Sequence, residues 1–266
     1  MAARPSYRYF PAGENRPVTP SDPHWGHPIE SRQGLLDVTL GEYFQAIHAF
    51  LSADGHRMLA GALSHLAAEP LGAGDIRRLH FVQEKHGQYY HPARLSVDTS
   101  AGRFSLVVNV AVTSAGRRCM LREYPLLERL SGGPGGRFLP QVYGRGTQLI
   151  GRDVDIDLFL GRWFEDFHEF HLSHPPNGGR LQLRLWHPDG GVWLNPETSR
   201  RIYRRAAEVL TRFHDPETGA CLHPWHHAAG DFIVRIDGHD AELRLVTARG
   251  YGPLLEPEEM DAGPPL

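Results

Sequence analysis

"FSLVVNVAVTSAGRRCMLREYPLLERLSGGPGGRFLPQVYGRG" occupies residues 104–146, and its reading decides the fold. Residues 104–112 form an apolar run rich in valine, the composition of a buried strand. Met120, Tyr124, Leu127 and Leu130 then recur at helical spacing, which predicts an amphipathic helix that Pro125 shortens or bends. The glycine-rich "SGGPGG" at 131–136 ends it, and "FLPQVYGRG" at 138–146 reads as the next strand.

Working outward, "IRRLHFVQEK" (76–85) and "ARLSVDT" (93–99) alternate apolar and polar residues, with Gly87 and Gly102 punctuating the connections. These segments predict an antiparallel sheet with 104–112. Upstream, residues 39–68 place Tyr43, Phe44, Ile47, Phe50 and Leu51 at helical spacing, and two helices are expected there. Residues 1–33 are polar and proline-rich, the composition of an extended arm lying over the domain.

Downstream, "DIDLFLGRWF" (155–164) reads as a further strand. Residues 196–214 form a strong amphipathic helix, with Ile202, Ala206, Val209, Leu210 and Phe213 facing inward and paired arginines outward. "FIVRI" (232–236) and "AELRLVTARGY" (241–251) read as a hairpin around Asp237-Gly238. The expected organisation is an arm over 1–33, helices and a strand-rich lobe over 34–150, a second lobe over 151–254 and a disordered tail over 255–266.

A chain of 266 residues is long enough for a full core, and its two cysteines, Cys119 and Cys221, argue against a disulfide framework. No apolar run approaches the roughly 18 to 20 residues that span a bilayer, so a soluble, cytoplasmic protein is expected. A formal net charge of -3 gives no general reason to bind nucleic acid or an anionic membrane. Lys85 is the sole lysine, so chemistry that needs an ammonium group has one candidate.

The order of strands, one helix, strands, a hinge-like segment, a long helix, a loop and a hairpin resembles a protein-kinase-like fold, particularly the aminoglycoside-phosphotransferase branch. The resemblance covers roughly residues 76–252 and rests on element order, with Glu123 in "LREYPLLERL" and "LPQVYGRG" as its best local pieces. It implies an α+β fold with a strand-rich N-terminal lobe and a mainly helical C-terminal lobe. It also implies ATP and Mg²⁺ as ligands.

Several positions depart from that family. Asn109 stands where the strand lysine belongs, while Lys85 lies beside "HGQYYH", where the family covers the phosphates; His91 and Arg94 follow it as further phosphate donors. In "HPWHHAAGDFIVRI" (223–236) the resemblance places His226 at the catalytic base and Asp231 at a magnesium ligand. An alternative alignment sets Gly230-Asp231 on the family's His-Gly-Asp motif and makes Asp231 the base. Thr247 occupies the expected second metal carboxylate. Histidine can accept a hydroxyl proton near neutral pH, and magnesium often uses only one or two carboxylates. The lost lysine and second carboxylate weaken charge neutralisation of a transferring phosphoryl group.

Two function classes follow: an atypical small-molecule phosphotransferase that binds a nucleotide or phosphorylated molecule, or a catalytically degenerate pseudokinase acting as a binding or regulatory module. In the first, "FLGRWFEDFHEFHLS" (159–173) passes through the hinge, and His168, His171 and His227 would contact a small-molecule or protein acceptor. A third reading is a zinc or iron enzyme, since His168/His171 and His223/His226 are spaced to share a metal on a helix, with His174 or Asp231 as third ligand.

Overall fold

The computed structural model describes residues 5–31, 34–84, 87–151, 154–187, 190–225, 229–238 and 240–254. The chain divides into two compact units, residues 1–124 with 142–164 and residues 125–141 with 165–266. Among the described residues, no helix is long and apolar enough to cross a membrane.

The first unit is built on a six-stranded sheet. Its strands are β1 (Ser6–Phe10), β4 (Ile76–Gln83), β5 (Ala93–Thr99), β6 (Arg103–Ala111), β7 (Val142–Ile150) and β8 (Val154–Arg162), in the order β1-β4-β5-β6-β8-β7. Among the described residues only β1 pairs in parallel, joining part of the N-terminal arm to the edge of the sheet. The strands alternate because one face is buried: Leu79, Phe81, Leu95, Val97, Leu106, Val108, Val110, Ile156, Leu158 and Leu160 meet two helices there.

Those helices are α1 (Leu40–Ser52) and α2 (Arg57–Ala67). Thr39 and Glu42 form a reciprocal capping box that fixes the start of α1, and Tyr43, Phe44, Ile47 and Leu51 supply its buried stripe. The glycines of "YGRG" have a packing cause. A Cβ on Gly144 would lie 2.4 Å from the Met58 sulfur, and one on Gly146 would lie 3.2 Å from Phe50. The small two-stranded sheet β2 (Pro28–Ser31) and β3 (Gly34–Thr39) leads into α1.

Helix α3 (Ser114–Ser131) runs through Pro125, where the two units divide. In the first unit, Arg117 fastens its opening turns by bonding Asp157 at 3.0 Å and Asp155 at 3.2 Å, while Thr147 donates to Asp157 at 2.7 Å.

The second unit corrects the expectation of a mainly helical lobe. Its principal layer is a five-stranded antiparallel sheet, β11-β10-β9-β13-β14, formed by β9 (His168–Ser173), β10 (Gln182–His187), β11 (Gly190–Trp193), β13 (Ala229–Asp237) and β14 (Asp240–Leu245). Strands β12 (Ala220–Leu222) and β15 (Tyr251–Pro253) form a further pair. Helix α4 (Pro196–Arg212) is the single α-helix lying wholly in this unit among the described residues, and it packs along β14. Asn195 caps it and Pro196 occupies its first turn, as helix-start chemistry prefers.

The protein-kinase-like fold class is therefore not upheld. The physical reason is alternation: Leu183 is buried, Arg184 half-buried and Trp186 exposed along β10, while the segment read as a hinge forms β9. The C-terminal residues 255–266 lie outside the described residues.

Candidate functional site

The proposed site residues fall into separate groups. In the first unit Glu123 is buried, and its carboxylate accepts the Tyr90 hydroxyl at 2.5 Å. Burial, with Glu123 beside it, drives the Tyr90 hydroxyl pKa far above the usual phenol range. Cys119 Sγ stands 4.0 Å from the same carboxylate.

Asn109 is cross-strand from Phe159, whose ring meets Tyr90 edge-on at 6.0 Å. The fold thus sets Asn109, Phe159, Tyr90 and Glu123 around the face opposite the α1/α2 core. Gly116 permits this approach, since a Cβ there would stand 2.3 Å from the Tyr89 carbonyl oxygen.

Arg94 points its Nε at Glu84, 2.9 Å away, and lies over the Trp163 ring at 5.7 Å, so its charge already has a carboxylate partner. His91 is buried, with its backbone N–H bonded to Val110 and its carbonyl accepting the Tyr43 hydroxyl. Lys85 lies outside the described residues.

In the second unit Asp231 opens the core of β13. Its two oxygens accept separate N–H groups of Arg249, at 2.9 and 2.6 Å, in a bidentate fork. Its side chain is 4% exposed. The backbone brings Thr247 beside it, because Val246 N–H bonds to the Asp231 carbonyl at 2.9 Å. His226 and His227 lie outside the described residues.

His168 and His171 are brought onto one strand but not to one ligand. Three positions apart on β9, they face opposite sides of the sheet, and the helical spacing argued for a shared metal does not apply. The His168 ring lies tilted against His187 at 4.6 Å, whereas His171 meets Trp186 edge-on at 5.6 Å. Burial lowers the His168 pKa, and His187 lowers it further. Among the described residues, no group of three or more His, Cys, Asp or Glu side chains is placed to hold a metal.

The face carrying His171 also contains a constellation absent from the sequence reading. Arg184 on β10 is directly cross-strand from Trp193 on β11 and His171 on β9. Its guanidinium lies 4.8 Å from the Trp186 ring and 5.5 Å from the Trp193 ring, so aromatic surfaces flank it. Gly191 provides the floor: a Cβ there would meet Arg184 Nε at 1.9 Å.

Among the described residues Arg184 has no carboxylate partner, and its buried Nε has no hydrogen-bond partner. Trp186 remains 40% exposed. Farther along the same face, Glu242 pairs with Arg235 and Arg244, both of which lie over Phe167.

The sequence signal for this platform was available in "LRLWHPDGGVW" (183–193): Arg and Trp two residues apart, a turn-forming Asp-Gly, then Gly191 and Trp193 on a returning strand. Arg249 was likewise present within the quoted "VTARG". No protein-family model matches the chain, and no curated protein matches it.

Proposed function

We propose that this chain is a non-catalytic recognition module that binds an acidic, proline-bearing segment of a protein partner on the open face of its five-stranded sheet. The observation carrying the reading is Arg184, held between two tryptophans with no carboxylate partner among the described residues. Aromatic surfaces cover its flanks, while guanidinium edges bond carboxylates through paired N–H groups. The exposed Trp186 offers a surface for proline rings, which dock on aromatic grooves in the pre-ordered polyproline conformation.

Charge favours single carboxylates over dianionic phosphate. Arg184, Arg235 and Arg244 share the face with Glu169, Asp237, Asp240 and Glu242, carboxylates that repel a dianion more strongly than a single carboxylate, and Glu169 lies beside His171. Phosphoryl transfer is further disfavoured by Asp231, because magnesium would have to displace the Arg249 fork from both carboxylate oxygens.

A hexapeptide of alternating proline and glutamate tests this function by tryptophan fluorescence. A saturable response is expected, weakening as salt rises through 0.15 M and reduced about tenfold or more by Arg184→Ala. Incubation with ATP and Mg²⁺ should give no turnover. Peptide binding indifferent to Arg184→Ala would overturn the proposal, as would magnesium-dependent phosphoryl transfer abolished by Asp231→Asn.

A further inference from the structure

We infer that His168 and His187 form a two-imidazole site for a divalent late transition ion, nickel, copper or zinc, on the side of the five-stranded sheet opposite Arg184. His168 lies two residues before Phe170 on β9 and His187 two residues beyond Leu185 on β10, and Phe170 and Leu185 are cross-strand partners. Antiparallel register therefore sets the two histidines side by side, three positions from His171 and Arg184 and so on the other face. Their ring centroids stand 4.6 Å apart, with the planes tilted by 43°. The site does not depend on the proposed recognition function.

That separation suits a shared ion. An ion about 2.1 Å from an imidazole nitrogen stands about 3.2 Å from the ring centroid, so two rings meeting at one ion at roughly a right angle have centroids about 4.5 Å apart. Histidine's terminal torsion is broad, so each ring can turn a nitrogen toward the ion without backbone movement. His187 is exposed and His168 half-buried, which leaves an approach from solvent. Both imidazoles must be neutral to act as ligands. Burial and the neighbouring His187 hold the His168 pKa below its ordinary value, against the opposing charge of Asp166, so His168 is unprotonated at neutral pH.

The donor set selects the ion. Imidazole nitrogens suit nickel, copper and zinc, whereas magnesium demands oxygen ligands. No third His, Cys, Asp or Glu among the described residues joins the pair in a metal-holding group, so water would complete the shell. Copper should bind more tightly than nickel or zinc, following the general order of divalent affinities. Once one imidazole holds the ion, the second binds it in an intramolecular step, which sets the pair apart from a single surface histidine. The bound ion would clamp β9 to β10.

Nickel chloride and the full, tag-free, chelator-washed chain provide the test. Calorimetric titration should show a saturable site, weakened about tenfold or more in His168→Gln and in His187→Gln alike, because each variant removes one arm of the chelate. His174 is an exposed histidine of the same unit, and His174→Gln should titrate as the unchanged chain does. Nickel should also raise the urea midpoint of the unchanged chain but not of His187→Gln, and magnesium should raise neither. His187 is exposed, so His187→Gln keeps the test decisive if His168→Gln fails to fold. Nickel affinity unchanged in His187→Gln, or no saturable site in the unchanged chain, would overturn the inference.

Discussion

Arg249 shows how much of a site's chemistry can lie in a residue far away in sequence. Its bidentate contact with the buried Asp231 joins positions separated by 18 residues. Arg249→Ala should destabilise the protein by about 3 kcal/mol, because breaking a buried pair leaves its other charge uncompensated. Arg249→Lys should recover only part of the loss, since a point ammonium cannot reproduce the fork. Combined Asp231→Asn and Arg249→Gln should recover more than half. Urea midpoints with their slopes distinguish these outcomes, and an unchanged Arg249→Ala midpoint would refute a structural role for the pair. The sequence shows Asp231 next to a strand-forming run, but its Arg249 partner depends on the return from β14. Likewise, Glu123 is identifiable on its helix, whereas its short bond to Tyr90 requires the local fold.

Helical and strand periodicities give different fates to the same histidines. His168 and His171 would approach on one helical face, but the alternation of β9 sends them to opposite sides. The error follows from reading 159–173 as a hinge and leaving the hairpin at 182–193 without an assignment. Helix α4 is more legible because its apolar stripe coincides with the Asn195 cap and Pro196 at the start. Gly191→Ala tests the element-level role of β11: the added methyl must displace the Arg184 guanidinium. A loss of about 1–2 kcal/mol in stability and about tenfold in peptide affinity is expected. Val192→Ala, at an exposed neighbouring position, should have little effect on binding. Calorimetry and the fluorescence titration separate the two consequences; unchanged binding in Gly191→Ala would argue against the braced arginine as the binding group.

Across the molecule, half-buried imidazoles connect packing to proton binding in both units. His48, His56 and His80 in the first unit and His168 in the second have pKa values lowered primarily by burial. His48 accepts or donates a contact with Tyr9 at 3.0 Å, and His56 meets Tyr7 at 3.2 Å, so β1 is joined to the helical layer near two groups that resist charging. Their folded-state pKa values lie below the ordinary 6.5. Protons therefore bind the unfolded chain preferentially, and stability present above pH 6.5 is lost as pH falls through the folded-state values. This histidine-linked loss begins above the window in which lowered carboxylates such as Asp98 and Asp215 protonate, below their ordinary 3.8. Urea midpoints should decline between pH 7.5 and 5.5, and combined His48→Gln and His56→Gln should flatten that decline even if it lowers stability at pH 7.5. A pH-independent midpoint in the unchanged chain would refute the linkage; an unchanged slope in the double variant would refute its assignment to this pair.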